Sequence, residues 1–147
     1  MVNPSIPVIC QIADAVVAEL NGNNFGQPFV AQRAYAPVFD LGEMADLHVT
    51  VVPRAASAER MDRSSRQFDY SIDVAVQKKL ALDGNVESDA LMLLVERIGD
   101  YFFGRRPATF NQAVCTKVDN DPIYSPEHWR EMRQFTSVLT LVFRVMR

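Results

Sequence analysis

The sequence predicts an α+β fold: an antiparallel or mixed sheet of four to five strands with two main helices packed on one face. Three patterns carry this expectation. From 67 to 79, Phe68, Tyr70, Ile72, Val74 and Val76 alternate with Asp69, Ser71, Asp73, Ala75 and Gln77, the two-residue period of a strand with one buried face. The same period returns from Gln134 to Arg147, with Phe135, Ser137, Leu139, Leu141, Phe143 and Val145 facing one way. Between them, Leu91, Leu94, Val95, Ile98 and Phe102 recur at helical spacing.

The first element is a helix. Ile6, Ile9, Ala13, Val16, Val17 and Leu20 share a helical face; Ser5 is placed to cap it, Pro7 fits its first turn, and Asn21-Gly22-Asn23-Asn24 stops it near Leu20. Phe29 to Ala36 and Leu47 to Pro53 are rich in aromatic and β-branched residues and are separated by Pro37, Asp40 and Gly42, so they read as an antiparallel strand pair. Helix two spans Ser88 to Phe103, after the turn-like Asp83-Gly84-Asn85, and Gly104 ends it. Ala113 to Val118 reads as a further short strand before Asp119-Asn120-Asp121-Pro122. The second face of the last strand, Thr136, Val138, Thr140 and Val142, is semi-apolar, so that strand belongs inside the sheet. The expected order is α-β-β-β-α-β-β.

A chain of 147 residues fits one domain, 1–147, since a core of this size buries roughly 68–70% of the surface exposed by the unfolded chain. The polar run Arg54 to Arg66 carries four arginines and almost no large apolar residue, so it has nothing with which to anchor itself in a core. It reads as a flexible hairpin loop, either simply solvated or ordering when it meets a partner. Asp121-Pro122-Ile123-Tyr124-Ser125-Pro126-Glu127-His128 is stiffened by two prolines. Two readings remain for it: a connection pinning Tyr124 and Trp129 onto the core, or a rigid contact surface, since Tyr and Trp are enriched among interface anchors. Arg54, Arg60, Arg63, Arg66, Tyr124 and Trp129 are therefore the candidate interface residues.

A net charge of −3 argues against sequence-independent nucleic-acid binding, which uses a basic face to displace counterions. Arginine outnumbers lysine twelve to three, which suits planar contacts with carboxylates at interfaces. No run approaches the roughly 18 apolar residues that crossing a membrane requires, and no basic leader precedes an apolar run, so the chain is expected to be soluble and made in a cytoplasm. Cys10 and Cys115 form neither a disulfide framework nor a metal motif. His48 falls on the polar side of a strand, and His128 with Glu127 and Glu131 falls short of a convergent ligand set, so no metal is expected. Cys115 has no specific pairing with either histidine to make it a nucleophile, Asp69 and Asp73 read as acids on a solvated strand face, and no glycine-rich phosphate loop occurs. The expectation is a protein that assembles rather than catalyses, with neither cofactor nor catalytic residue.

Ser71-Ile72-Asp73-Val74-Ala75-Val76-Gln77-Lys78-Lys79, the helix with Leu94-Val95-Glu96, the Asp121-Pro122-Ile123-Tyr124 turn and the ending Phe135-Thr136-Ser137-Val138-Leu139-Thr140-Leu141 occur in that order. Together they resemble the tail-terminator and neck (head-tail joining) proteins of tailed bacteriophages, over residues 67–147. The resemblance implies a virion subunit, assembled in the bacterial host cytoplasm into a ring that is commonly a hexamer. Such rings end tail-tube growth and join the tail to the head connector, with tail-tube and connector or adaptor proteins as partners. Double-stranded DNA passes through the channel without specific binding, and no membrane is involved. A head-closure or adaptor role in the neck is the alternative, followed by a small binding module that uses a sheet edge. The resemblance transfers no individual functional residue, because it consists largely of hydrophobic pattern.

Overall fold

Fourteen consecutive residues without an internal proline or glycine, VICQIADAVVAELN, form α1 (Val8–Asn21) in the computed structural model, which describes residues 4–36, 45–81 and 84–147. Ile12, Ala13, Ala15, Val16 and Leu20 lie on its buried face. Pro7 rather than Ser5 occupies the N-cap position, with no side-chain cap bond, and the Gln11 side-chain amide instead donates to the Ile6 carbonyl at 2.8 Å. Gly22 closes the helix as expected, its N–H reaching the Ala18 carbonyl at 2.9 Å.

The described residues form a mixed five-stranded sheet, ordered β1-β2-β3-β5-β4, and three helices, an α+β fold. The strands are β1 (Ala31–Arg33), β2 (His48–Arg60), β3 (Arg66–Lys79), β4 (Ala113–Asp119) and β5 (Gln134–Met146); the remaining helices are α2 (Gly84–Phe102) and α3 (Pro126–Met132). β5 lies between β3 and β4, inside the sheet as its two semi-apolar faces require. The β3–β5 ladder pairs Gln67 with Met146 at one end and Lys79 with Gln134 at the other. This register puts Ile72 beside Leu141, Val74 beside Leu139 and Tyr70 beside Phe143, all on one face. These six side chains are buried.

α1 lies against β1 and β2, and α2 against β5 and β4. Their buried sides join the inward residues of the sheet in one core cluster, in which Phe102 of α2 meets Phe143 edge-on at 6.4 Å. The helices are tied to each other at one end: the Tyr101 hydroxyl donates to Glu19 Oε1 at 2.5 Å, and Phe25 packs against the Tyr101 ring. Gly99 gives α2 a close approach to the sheet, since an added Cβ would sit 3.2 Å from Val118. Gly104 ends the helical run at φ +77°, a conformation that suits glycine.

Four expectations are corrected. β1 pairs with β2 in parallel, not antiparallel, and spans three residues in place of Phe29 to Ala36. On β1, the Asn21 side chain both donates to and accepts from the backbone of Ala31, at 3.1 and 2.7 Å, doing with an amide what a neighbouring strand would do. The turn formers Pro37, Asp40 and Gly42 lie outside the described residues, as does Asp83; Gly84 and Asn85 belong to α2, which starts four residues before Ser88. Residues 126–132 form a helix that the expected order lacked: Ser125 caps it by accepting from the His128 N–H at 3.3 Å, Pro126 sits in its first turn, and Arg133 terminates it at φ 52°. Finally, residues 54–60 are not a loop: Ala55 to Arg60 pair with Arg66 to Ser71 as a ladder.

The register is open to a direct test. Leu141 is fully buried and Val142 only partly, on opposite faces of one strand. Leu141→Ala is expected to cost about 3 kcal/mol in chemical denaturation and Val142→Ala about 1 kcal/mol; the reverse ranking would show that β5 is inverted.

Candidate interaction surface

β2 changes character at Arg54. Up to Val52 it is covered, but from Arg54 to Arg60 every residue is exposed, and among the described residues β1 pairs only with Val49, Thr50 and Val51, leaving the rest of that edge without a neighbouring strand. A bulge between Pro53 and Ala55 accommodates Arg54 as an extra residue. The Arg54 Nε donates to Asp73 Oδ1 at 3.1 Å, and Thr140 Oγ1 donates to the same oxygen at 2.7 Å. Asp69 pairs likewise with Arg144 at 3.0 Å. The two strand carboxylates are thus each held by an arginine on the sheet face away from the helices, rather than by each other.

β5 accompanies β3 as far as Met146, and Arg66 and Arg147 exchange backbone bonds at 2.7 and 3.0 Å, so what projects past the sheet is the turn 61–65. That turn is internally organised. The Met61 N–H reaches the Ser65 carbonyl at 3.1 Å, and one carboxylate oxygen of Asp62 accepts from the N–H groups of Ser64 and Ser65, each at 2.8 Å. These bonds, led by the Ser64 backbone N–H, lower the Asp62 pKa below the ordinary carboxylate value. Arg60, Arg63 and Arg66 surround the turn, and exposed Met61 stands at its base, opposite Ser65.

Tyr124 and Trp129 are elsewhere. The Ser125 N–H bonds to the Thr136 carbonyl, which places this corner at the start of β5, about 30 Å of strand away from Met146. The Trp129 indole N–H donates to Ser88 Oγ at 2.8 Å, and its ring carries the Arg133 guanidinium at 5.1 Å. Trp129 therefore pins α3 to α2. Tyr124 stacks on Phe135 at 6.4 Å while keeping 37% of its surface exposed, so it has one face in each of the two expected roles. The six candidate residues thus form two separate groups, the arginines around the β2–β3 hairpin and the aromatic pair beside α3.

A third surface was missed. Asp89, Leu93, Glu96, Asp100 and Phe103 follow helical spacing on the side of α2 away from Leu91, Leu94 and Ile98, and all five are exposed. With Ile123 they border a groove of about 780 Å³ floored by Leu139 and Val118. The three carboxylates have no cationic partner among the described residues. The signal was present in the sequence as an acidic-apolar alternation at three- and four-residue spacing, overshadowed by the stronger apolar face.

The chemical groups elsewhere are structural in character. Burial pushes the Cys115 thiol up to about 11, against partial relief from backbone hydrogen bonding at Lys117 and Val142, so it stays protonated and weakly nucleophilic near neutral pH. His128 Nδ1 is spent on Thr136 Oγ1 at 2.9 Å. Among the described residues no three His, Cys, Asp or Glu side chains converge as a metal site, and no helix is long and apolar enough to cross a membrane. No protein-family model matches the chain, and no curated protein matches it significantly.

Two measurements follow from these environments. Both cysteines are buried, so a thiol reagent at pH 8 is expected to label Cys10 and Cys115 only as the chain unfolds; rapid labelling of the folded protein would contradict that burial. For Asp62, whose pKa is lowered on folding, the turn's stabilisation is present above the unfolded value of about 3.9 and disappears as pH falls through the lower folded value. The Ser64 and Ser65 amide proton shifts should therefore titrate together below the ordinary carboxylate range, whereas a midpoint near the ordinary value would detach the carboxylate from the turn.

Proposed function

We propose that this chain is a structural subunit of a tailed-bacteriophage neck ring, acting as the tail terminator that ends tail-tube growth and joins the tail to the head connector. One observation carries the assembly half of this reading. After the bulge at Arg54, residues 55–60 are a laddered strand whose every side chain is exposed, so this part of the molecule gains little from its own core. Extended strand held rigidly outside the core, with a basic tip and a bare edge, is what a protein offers to a neighbour. The phage half rests on the resemblance of residues 67–147, whose order of strand, helix, proline turn and closing strand is the order in which those elements fold here.

In this role the hairpin arginines and the Tyr124 corner, at opposite ends of β5, serve different neighbours: one set within the ring, the other toward the adjoining tube or connector. The acidic balance of the chain suits a channel along which DNA slides without sticking. Catalysis has no part in it.

The test is physical. Light scattering across concentration and negative-stain imaging, with the chain alone and with tail tubes of the same phage, should show closed rings or rings seated on tube ends. A chain that stays monomeric in both conditions and binds neither tube nor connector proteins would exclude the role.

A further inference from the structure

The basic turn and the acidic groove complement each other but sit at different places on the molecule. The turn lies past Gln67 and Met146, whereas the groove includes Val118, Asn120 and Leu139, near the point where Asp119 pairs with Thr140. About 20 Å of β5 separates Thr140 from Met146, and the turn points past the latter, so a chain cannot place its own turn in its own groove. Two complementary patches so arranged make a head-to-tail contact between copies, which closes into a ring when the rotation allows it.

We infer that the Arg60–Arg63 turn of one copy seats in the α2 groove of the next, with Met61 against Leu93, Phe103 and Ile123 and with Arg60 and Arg63 facing the carboxylates of Asp89, Glu96 and Asp100. This rests on the self-assembly reading above and adds the contact that performs it. Met61 is 52% exposed, Phe103 64% and Ile123 56%, so the apolar parts of both surfaces stand in water in the single chain. Arg63 has no bonded partner among the described residues, and the Arg60 Nε reaches no side chain, only the Asp62 carbonyl at 3.3 Å. Guanidinium groups therefore remain available for paired bonds to carboxylates. The bonds from Ser64 and Ser65 to Asp62 hold the turn in one shape before contact, which lowers the ordering cost of docking. They also turn one oxygen of the turn's carboxylate toward its own backbone, while the Arg63 guanidinium stays unengaged among the described residues. Methionine is suited to such a contact, since its flexible thioether fills irregular apolar surfaces.

The full-length chain tests this by charge exchange. Arg60→Glu with Arg63→Glu forms one variant, and Glu96→Lys with Asp100→Lys the other. Each alone is expected to weaken self-association at least about tenfold by sedimentation or light scattering. Mixed in equal amounts they should recover it, because each turn then meets a groove of opposite sign. A single-copy folding defect cannot produce that recovery. Independently, mixing chains carrying Met61→Cys with chains carrying Leu93→Cys should give an oxidative cross-link between copies, since both native cysteines are buried.

If the wild-type chain assembles while the charge variants assemble equally well, the contact is wrong and the ring reading stands. If the wild-type chain is monomeric at every concentration and no cross-link forms, the contact falls, and the ring reading falls with it when tail tubes and connector proteins also fail to assemble the chain. Loss without recovery on mixing overturns the contact, as does a turn variant that loses retention on DNA but keeps its self-association.

Discussion

The β3–β5 ladder is the constraint on which the rest depends. Because strand side chains alternate faces, a slip of one residue between these strands would turn one of them over relative to the other, exchanging Ile72 and Val74 for Asp69 and Asp73, or Leu139 and Leu141 for Thr140 and Arg144, at the core. The chain resists that slip on both faces at once. Apolar rows meet the two long helices on one side, and the Asp69–Arg144 and Asp73–Thr140 bonds lock the same register on the other. β2 and β4 then add to ladder edges already fixed, and α1 and α2 have a surface of defined shape to cover.

The ladder also sets where the surfaces for contact lie. The hairpin turn is carried beyond one end, because β3 and β5 run together to Gln67 and Met146. α3 and the Tyr124 corner hang from the other, through the Ser125–Thr136 and His128–Thr136 bonds. α2 lies along the core face with an apolar side inward and the Asp89–Phe103 stripe outward. The geometry between these surfaces is thus governed by strand rise and helix rise, not by loops.

The sequence exposed what depends on period and hid what depends on pairing. The two long strands, both long helices, the short strand near Ala113 and the interior position of β5 all follow from side-chain repetition, and each is present. Parallel pairing of β1 was not legible, because alternation says nothing about direction and the three residues of β1 are held partly by Asn21, a helix residue. The ladder from Ala55 to Arg60 was hidden because its small and charged residues bury nothing; β3 is its template, and backbone bonding alone carries it. α3 announced itself through Ser125-Pro126-Glu127, a cap followed by a first-turn proline, yet seven residues are too few for a period to emerge. At the surface, the arginines were legible by composition. The groove was not, since it joins α2 to residues near Val118, Ile123 and Leu139 that only the fold brings together.

The exposed stretch of β2 has a further consequence for a newly made chain. An open edge of unpaired N–H and C=O groups invites other strands indiscriminately, and a freshly made protein at high concentration is exposed to that hazard. Here the invitation is guarded. Arg54 and Pro53 interrupt the ladder at a bulge where the covered part of β2 ends, Glu59 and Arg60 place charge near the tip, and the alanines and serine between them offer no large apolar side chain for a stray strand to grip. Backbone attraction without side-chain reward is weak and reversible. The edge therefore gives a newly folded chain little tendency to be captured by whatever strand it first meets.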